Sequence, residues 1–530
     1  MVLGELQVIQ KQKWKSMPLA LVSYDWSLPA AIGAGLLALT LVLTNGWMSD
    51  DGYVTFRSVE QFFAGNGPRW NPHERVQAFT HPLWFGLLCL IRFLSSDACL
   101  NALLLSLVCG VGAAFVLAKI STCRSNWTIA VLVLASSKAV IDFSTSGLEN
   151  PLSHFVCLAF LLSLLNFATA KPAQRQTQLV KLSWCLALAT TLRLDLITLL
   201  GVPYLWAFGS LVWMQRGISW RLIGKIVGAS SLPIMWTLFS TIYYGFPLPN
   251  TAYAKLGAGV PTKDLLPHGF AYLMNSLRLD GITLFAVALS LVASFWSRRG
   301  VRIAMALGIL CNLVYVVRVG GDFMSGRFLT VSMFLSVGLL ASMRWSKSAL
   351  LGVAAALLIY NSIQPYAPWR TDATYVNKVI DDSGVADERG YYFQHSSLWL
   401  YLDSLKDRKP FPEIIWVKDA IEFGKSNYIA TVMAAIGIFG YYVRLDQIVI
   451  DPMALSDPLL ARTPVRGRWR VGHMLRDLPV GYAESIATGT NQIVDPDLHK
   501  LYDQLILVTR GPLFTLERWR AIAELNLGLK

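Results

Sequence analysis

Apolar stretches of near-spanning length recur so often along this chain that no soluble fold could bury them all. They fall at about 30–47, 100–118, 126–142, 151–168, 182–213, 223–243, 281–297, 302–318, 327–343 and 348–363. Most lie close to the ~20 residues that cross a bilayer. The stretch 182–213 is interrupted by Arg193-Leu194-Asp195 and is long enough for two spans joined by a tight turn. The run 82–94 is too short to cross and suits a helix lying along the interface. Composition agrees, at 54% hydrophobic and 15% charged with a mean hydropathy of +0.47.

The basic residues orient these spans. With Lys11, Lys13 and Lys15 cytoplasmic, and 82–94 not crossing, the inner loops hold Lys119 and Arg124; Lys171, Arg175 and Lys181; Arg216, Arg221 and Lys225; Arg298, Arg299 and Arg302; and Arg344 with Lys347. None of these loops contains Asp or Glu, as the positive-inside rule requires. The fold class is therefore a polytopic α-helical membrane protein of about eleven transmembrane helices. Its N-terminus is expected in the cytoplasm and its C-terminal segment outside. The formal net charge of +13 sits largely in these loops, which makes the bilayer the partner and gives no reason to expect nucleic acid. Residues 30–45 run directly into charged sequence with no small-residue cleavage pattern, so they read as a retained span. The 7 cysteines form no CxxC pair and read as packing residues.

That topology puts the polar, motif-like segments on one outer face: 48–81, Ser144 to Glu149, Arg193 to Asp195, Tyr243 to Gly259, and Arg318 to Arg327. The chain divides into a membrane domain, 1–363, with a first outer loop at 48–99, and a soluble outer domain, 364–530. At roughly 165 residues the outer part has length for a core of its own. It reads as α/β, with a helix at 414–424 and short strands at 446–450 and 504–509.

Within the outer segments the acidic pair Asp50-Asp51 is the leading candidate for chemistry, as a base or a metal seat. In a helix starting there, Asp50, Tyr53 and Arg57 share one face. A carboxylate, a phenol and a guanidinium suit sugar hydroxyls and a phosphate, and Asp50 is the preferred catalytic acid. Capping of an interfacial helix is the plain alternative for the pair. His81 is a candidate for bonding a phosphate or a hydroxyl, or else a boundary histidine. Glu149 either serves the site or favours a helix dipole. Arg193 and Asp195 either serve the site or pair with each other. Arg327 and Lys255 are phosphate candidates, and Asp322 lies in the same Gly-rich loop as Arg327. No P-loop, dinucleotide fingerprint, HExxH or GxSxG occurs. An outward site without a nucleotide cradle favours a sugar donor carried on a polyprenyl phosphate.

The strings DDGYVTFR…GNGPRWNPHERVQAFTHPLW, TSGLENPL, RLD, YYGFPLPNTAYAKL and GGDFMSGRF resemble the GT-C membrane glycosyltransferases, above all the terminal β-(1→2)-arabinofuranosyltransferase family. AAIGIFGYYVRLDQIVIDPMALSDPLLAR and WRVGHMLRDLPVGY in the outer segment extend the likeness over nearly the whole chain. The resemblance implies a GT-C fold and a bacterial cytoplasmic-membrane location with a periplasmic C-terminal domain. It implies a decaprenyl-phosphoryl-arabinofuranose type of donor and an envelope glycan or glycoprotein acceptor. It also implies a catalytic acid at Asp50 or Asp51, and His81, Glu149, Arg193, Asp195, Lys255, Asp322 and Arg327 match its motif positions; Tyr53, Arg57, Tyr244 and Asn250 complete the substrate-binding candidates. No cofactor is required, although a divalent cation on the acidic pair would assist. Three rivals stay open: a transferase using a mannosyl or aminoarabinosyl carrier, a transporter of lipid-linked sugars, and a structural envelope protein whose outer domain only binds glycan. Spacing does not decide between inversion and retention.

Overall fold

The computed structural model describes residues 28–371, 380–467 and 469–528, so Lys11, Lys13 and Lys15 lie outside the described residues. Among these, 6 helices are long and apolar enough to cross a membrane: Ala98–Ile120, Asn150–Thr169, Leu196–Gln215, Thr262–Trp296, Gly300–Arg318 and the segment Lys347–Arg370. Helices Trp220–Ala229 and Ser231–Tyr243 form a further pair bent by 55°. Leu28–Thr44, Pro82–Arg92 and Arg327–Ala341 are shorter apolar helices. The protein is a multi-pass, mostly helical membrane protein.

Helix boundaries refine the sequence pattern. Helix Pro172–Leu192 begins well before the apolar run at 182, so Arg175 and Lys181 lie inside a helix rather than in a loop. It ends at Arg193, and Leu196–Gln215 starts after Asp195, which makes RLD the predicted tight turn. Thr262–Trp296 is broken at Asp280, whose φ of −150° and ψ of 58° are non-helical, and the apolar run at 281 begins just beyond this break. The expected run 126–142 is split into Arg124–Ala135 and the short Lys138–Asp142.

The outer segment is also mainly helical. Its only described sheet pairs two three-residue strands, Ala430–Val432 and Ile448–Ile450, in parallel. The helix expected at 414–424 is Ile415–Lys425, and the strand expected at 446–450 is Ile448–Ile450. The strand expected at 504–509 is absent: these residues close helix Pro496–Arg510. Asp495 caps that helix by accepting from the amides of Asp497 and Leu498, and Tyr502, Leu505 and Val508 then bury one helical stripe. The apolar run Leu505–Val508 has no period of its own, and capping decided its form.

The outer segment does not stand apart from the membrane helices. One of its apolar clusters takes in Phe246 and Ala254, and another takes in Val54, Trp70 and Ala78. Backbone bonds from Leu398 N to Gly46 O (2.8 Å) and from Met48 N to Ser396 O (3.1 Å) fasten it beside the first outer helix.

Candidate functional site

Helix Asp50–Phe63 starts where Ser49, buried, accepts from the amide of Gly52. It follows that Asp50 and Asp51 occupy the first turn, where the helix dipole favours negative charge. Successive side chains on a helix point about 100° apart, so the two carboxylates diverge.

Asp50, Tyr53 and Arg57 do share a face, but that face is the docking surface for helix Ile436–Tyr442. Asp50 accepts from the amides of Ile438 (2.7 Å) and Gly437 (3.2 Å), capping that helix from outside. Arg57, 0% exposed, donates to the carbonyls of Trp70 (3.0 Å), Gln447 (3.0 Å), Gly440 and Val443. Tyr53 packs its ring on Tyr441 and donates to Phe411 O at 3.3 Å. Gly437 permits this approach, because a Cβ there would sit 1.9 Å from Asp50 O. The expected trio of site residues thus joins two parts of the chain, and neither Tyr53 nor Arg57 turns toward a substrate. Tyr244 and Asn250 behave likewise: Tyr244 donates to Pro68 O (2.5 Å), and Asn250 donates to the carbonyls of Ala454 (2.9 Å) and Asp457 (3.0 Å).

The neighbouring face carries Asp51 into a cluster of charges from four outer segments. Arg327 Nη1 lies 3.9 Å from Asp51 and 3.8 Å from Asp322, while its Nη2 lies 3.3 Å from Glu149. Glu149 is also approached by Arg193 Nη1 at 3.6 Å, and Arg193 forks onto Asp195 at 3.0 and 2.7 Å. Signs alternate along the row Asp195, Arg193, Glu149, Arg327, Asp51, so each buried charge has an opposite neighbour. Arg327 follows Gly326, whose φ of 73° is left-handed and which presses on Ala139 so closely that a Cβ would come within 2.6 Å of the alanine's. The sharp turn of GGDFMSGR thereby aims Asp322 and Arg327 at one point.

His81 completes the support. Its Nδ1 is 3.2 Å from Glu149 and its Nε2 is 2.8 Å from the Thr55 hydroxyl. Burial lowers His81 to about 4, although Glu149 pulls it up. A neutral ring beside a carboxylate carries its proton on Nδ1, so Thr55 donates to Nε2. Both ring nitrogens are then committed, and His81 orients Glu149 rather than meeting a ligand. Burial raises the Glu149 carboxyl, but Arg327, His81 and Arg193 outweigh it and bring it down to about 2. Glu149 is a fixed anion.

Asp51 differs from these. Its side chain is 31% exposed, against 5% for Asp322 and 1% for Glu149. Burial raises it to about 6, helped by Asp322 and Glu149 and opposed by Arg327 and by the exposed Lys255. Asp50, raised by burial to about 7, remains tied to its two amides. Among the described residues Arg327 Nε and Asp322 Oδ2, though buried, have no hydrogen-bond partner. Such atoms carry a cost unless something else satisfies them. The described residues contain no group of three or more His, Cys, Asp or Glu arranged to hold a metal ion.

A second ionic cluster was not foreseen. Lys138 contacts Asp142 and lies 3.0 Å from Asp387, and Arg389 lies 3.8 Å from Asp142. Its sequence signal was the charged triplet Asp387-Glu388-Arg389 at a helix start.

No family model matches the chain. It is 27% identical to the terminal β-(1→2)-arabinofuranosyltransferase of Corynebacterium glutamicum, over 86% of this chain and 77% of that protein. Against the enzyme of the same name from Mycobacterium tuberculosis the identity is 26%, over 81% of this chain and 80% of the relative. Along most of its length the chain is similar to arabinofuranosyltransferases. Both names bear out the family resemblance carried by the motifs, and both are names of glycosyltransferases. Among solved structures, the arabinosyltransferase EmbB from Mycobacterium smegmatis superposes with a TM-score of 0.43 at 12% identity, covering 68% of this chain and 33% of that one. That likeness is too loose to argue from.

Proposed function

We propose that this protein transfers an arabinofuranosyl residue from a polyprenyl-phosphate donor to an envelope glycan or glycoprotein, on the outer face of the bacterial cytoplasmic membrane. In this reading it has a GT-C fold with about eleven spans, its N-terminus inside and residues 364–530 in the periplasm. The observation that carries the proposal is the meeting of a half-open carboxylate, Asp51, with a buried guanidinium that has an unpartnered donor, Arg327.

Arg327, with Lys255 nearby, binds the donor phosphate, while the prenyl tail lies among the apolar helices. Asp51 accepts the proton of the acceptor hydroxyl as its oxygen bonds to the anomeric carbon. The bond from that carbon to the phosphate oxygen breaks, and the prenyl phosphate leaves as an anion neutralised by Arg327. Glu149, held by His81 and Arg193, keeps Arg327 in place. Asp50 holds the outer segment over the site. Asp51 is therefore preferred to Asp50 as the base, and a divalent cation is not needed for this scheme.

The test is purified protein in lipid nanodiscs, given prenyl-phosphoryl arabinofuranose or its mannosyl and aminoarabinosyl counterparts. Transfer to an arabinofuranoside, followed by mass spectrometry, is expected with the first donor alone. Turnover of another donor would reassign the sugar. Movement of intact lipid-linked sugar across vesicles without bond cleavage would replace the transferase with a transporter.

A further inference from the structure

Glu388 opens helix Glu388–Ser396 in the outer segment, and both of its neighbours are pinned. Asp387 caps the helix by accepting from Gly390 N at 2.9 Å and pairs with Lys138 at 3.0 Å. Arg389, 1% exposed, donates to Asn45 O at 3.1 Å and to Thr371 O, with its guanidinium 4.1 Å from the Phe393 ring centroid. Just upstream, Ala386 is bonded to the Gly-rich loop from both sides: its amide donates to Phe323 O (2.7 Å) and its carbonyl accepts from Ser325 N (2.9 Å). The backbone at 386–389 is thus fixed against the loop that presents Asp322 and Arg327.

Glu388 itself is half-buried, and no hydrogen bond or ion pair engages its carboxyl among the described residues. The charges acting on it are Asp51, Asp50 and Asp322 from the membrane part and Arg470 from the outer part, with Tyr392 one turn along its own helix. A half-buried carboxyl facing other acids destabilises the fold unless it meets a ligand or stays protonated. Asp322, whose buried Oδ2 makes no hydrogen bond and has Arg327 at 3.8 Å, belongs to the same group of charges. The immobilised frame and the uncommitted carboxyl together indicate a group held ready for something outside the chain.

We propose that Glu388 is an acceptor-binding residue, which takes a hydroxyl of the incoming sugar and sets it beside Asp51. This rests on the transferase reading above and adds to it the element that selects the acceptor. The donor enters from the membrane side, where Arg327 and Glu149 lie. Glu388 comes from the outer segment, where a sugar polymer arrives. Burial, with Asp51 next in effect, pushes its carboxyl well above the usual range. A carboxyl offers acceptor oxygens to a sugar hydroxyl in either protonation state.

The test separates acceptor from donor. Wild type, Glu388→Gln and Glu388→Ala, in nanodiscs, are given short-chain prenyl-phosphoryl arabinofuranose and an alkyl arabinofuranoside. Transfer and hydrolysis of the donor by water are followed separately. Glu388→Ala is expected to raise the acceptor KM by at least ~10-fold while donor KM and donor hydrolysis stay within about 2-fold of wild type. Glu388→Gln keeps the shape and an oxygen acceptor, so it should hold the acceptor KM within about 3-fold. An unchanged acceptor KM in the alanine variant overturns the assignment. So does a parallel fall in transfer and hydrolysis, which marks a structural role. A wild-type protein that consumes no donor overturns the transferase reading itself, and this inference with it.

Discussion

Arg327 Nη1 stands 3.9 Å from Asp51 Oδ2, close enough to attract the carboxylate and too far to tie it up in a direct hydrogen bond. Asp50, one residue earlier, is bonded to two backbone amides and has no such freedom. Asp51→Asn is therefore expected to lower kcat by ~10²–10⁴, the range lost with a general base. Asp50→Asn should act on stability, because it weakens two charge-assisted bonds worth about 1.5–3 kcal/mol each. Transfer rates and melting curves of both variants check this. A fully active Asp51→Asn protein removes Asp51 as the base.

The rate should follow the same group with pH. Asp51 works as a base only when deprotonated, and burial sets its carboxyl at about 6. Activity is then expected to rise with pH through about 6 and to fall roughly tenfold per unit below it. The acid limb should vanish from the small residual rate of Asp51→Asn. A limb that persists unchanged in that variant belongs to another residue.

Arg327 is predicted to set donor affinity. Lysine keeps the charge but loses the fork that grips a phosphate, so Arg327→Lys should raise the donor KM by about 10-fold and Arg327→Ala by more. Donor titrations at fixed acceptor give the answer. A fall in kcat with an unchanged donor KM would mean that Arg327 serves only to hold Asp51.

Glu149 links the site to stability. Its folded carboxyl lies at about 2 against a reference of 4.5, so it stabilises the fold above pH 4.5, and that contribution is lost as pH falls toward 2. The contribution is on the order of 3 kcal/mol. Glu149→Gln leaves Arg193 and Arg327 facing a neutral group, and breaking a buried pair in this way costs about 3–5 kcal/mol. The variant should melt well below wild type at pH 7 and lose less on acidification. Equal acid sensitivity in the two proteins would place the acid-labile group elsewhere.

The charged members of the site were legible because each interrupts an apolar context. Glu149, Arg193, Asp195, Asp322 and Arg327 are costly next to a membrane, and the structure brings them together. Helical period also placed Asp50, Tyr53 and Arg57 correctly on one face. What that face meets was not legible, since Gly437 lies 387 residues away and no local pattern encodes the pairing. The same limit hid Glu388, whose position depends on the bonds between Ala386 and the loop at Phe323 and Ser325. The misassigned run 504–509 shows the local limit: its apolar residues suit either a strand or a buried helix, and Asp495-Pro496 upstream decides for the helix.

The seam between the two parts yields the last prediction. Helix Ile436–Tyr442 lies against helix Asp50–Phe63 so closely that a Cβ on Gly437 would fall 1.9 Å from Asp50 O and 2.8 Å from Asp50 Cγ. The obstacle at 1.9 Å is backbone, so it cannot rotate aside. Gly437→Ala must move one helix, stretching the bonds from Ile438 and Gly437 to Asp50 and those from Arg57 to the carbonyls of Gly440 and Val443. Overpacking of this kind costs about 1–3 kcal/mol, and loosened buried bonds to the charged groups add to it. The variant should show faster proteolytic cleavage in the outer segment while its membrane helices stay folded. Because the same seam sets the height of Asp51 and Glu388 over the loop at Asp322, transfer should fall more than donor hydrolysis. A Gly437→Ala protein with wild-type proteolysis and transfer would show that the two helices do not make this contact in the membrane.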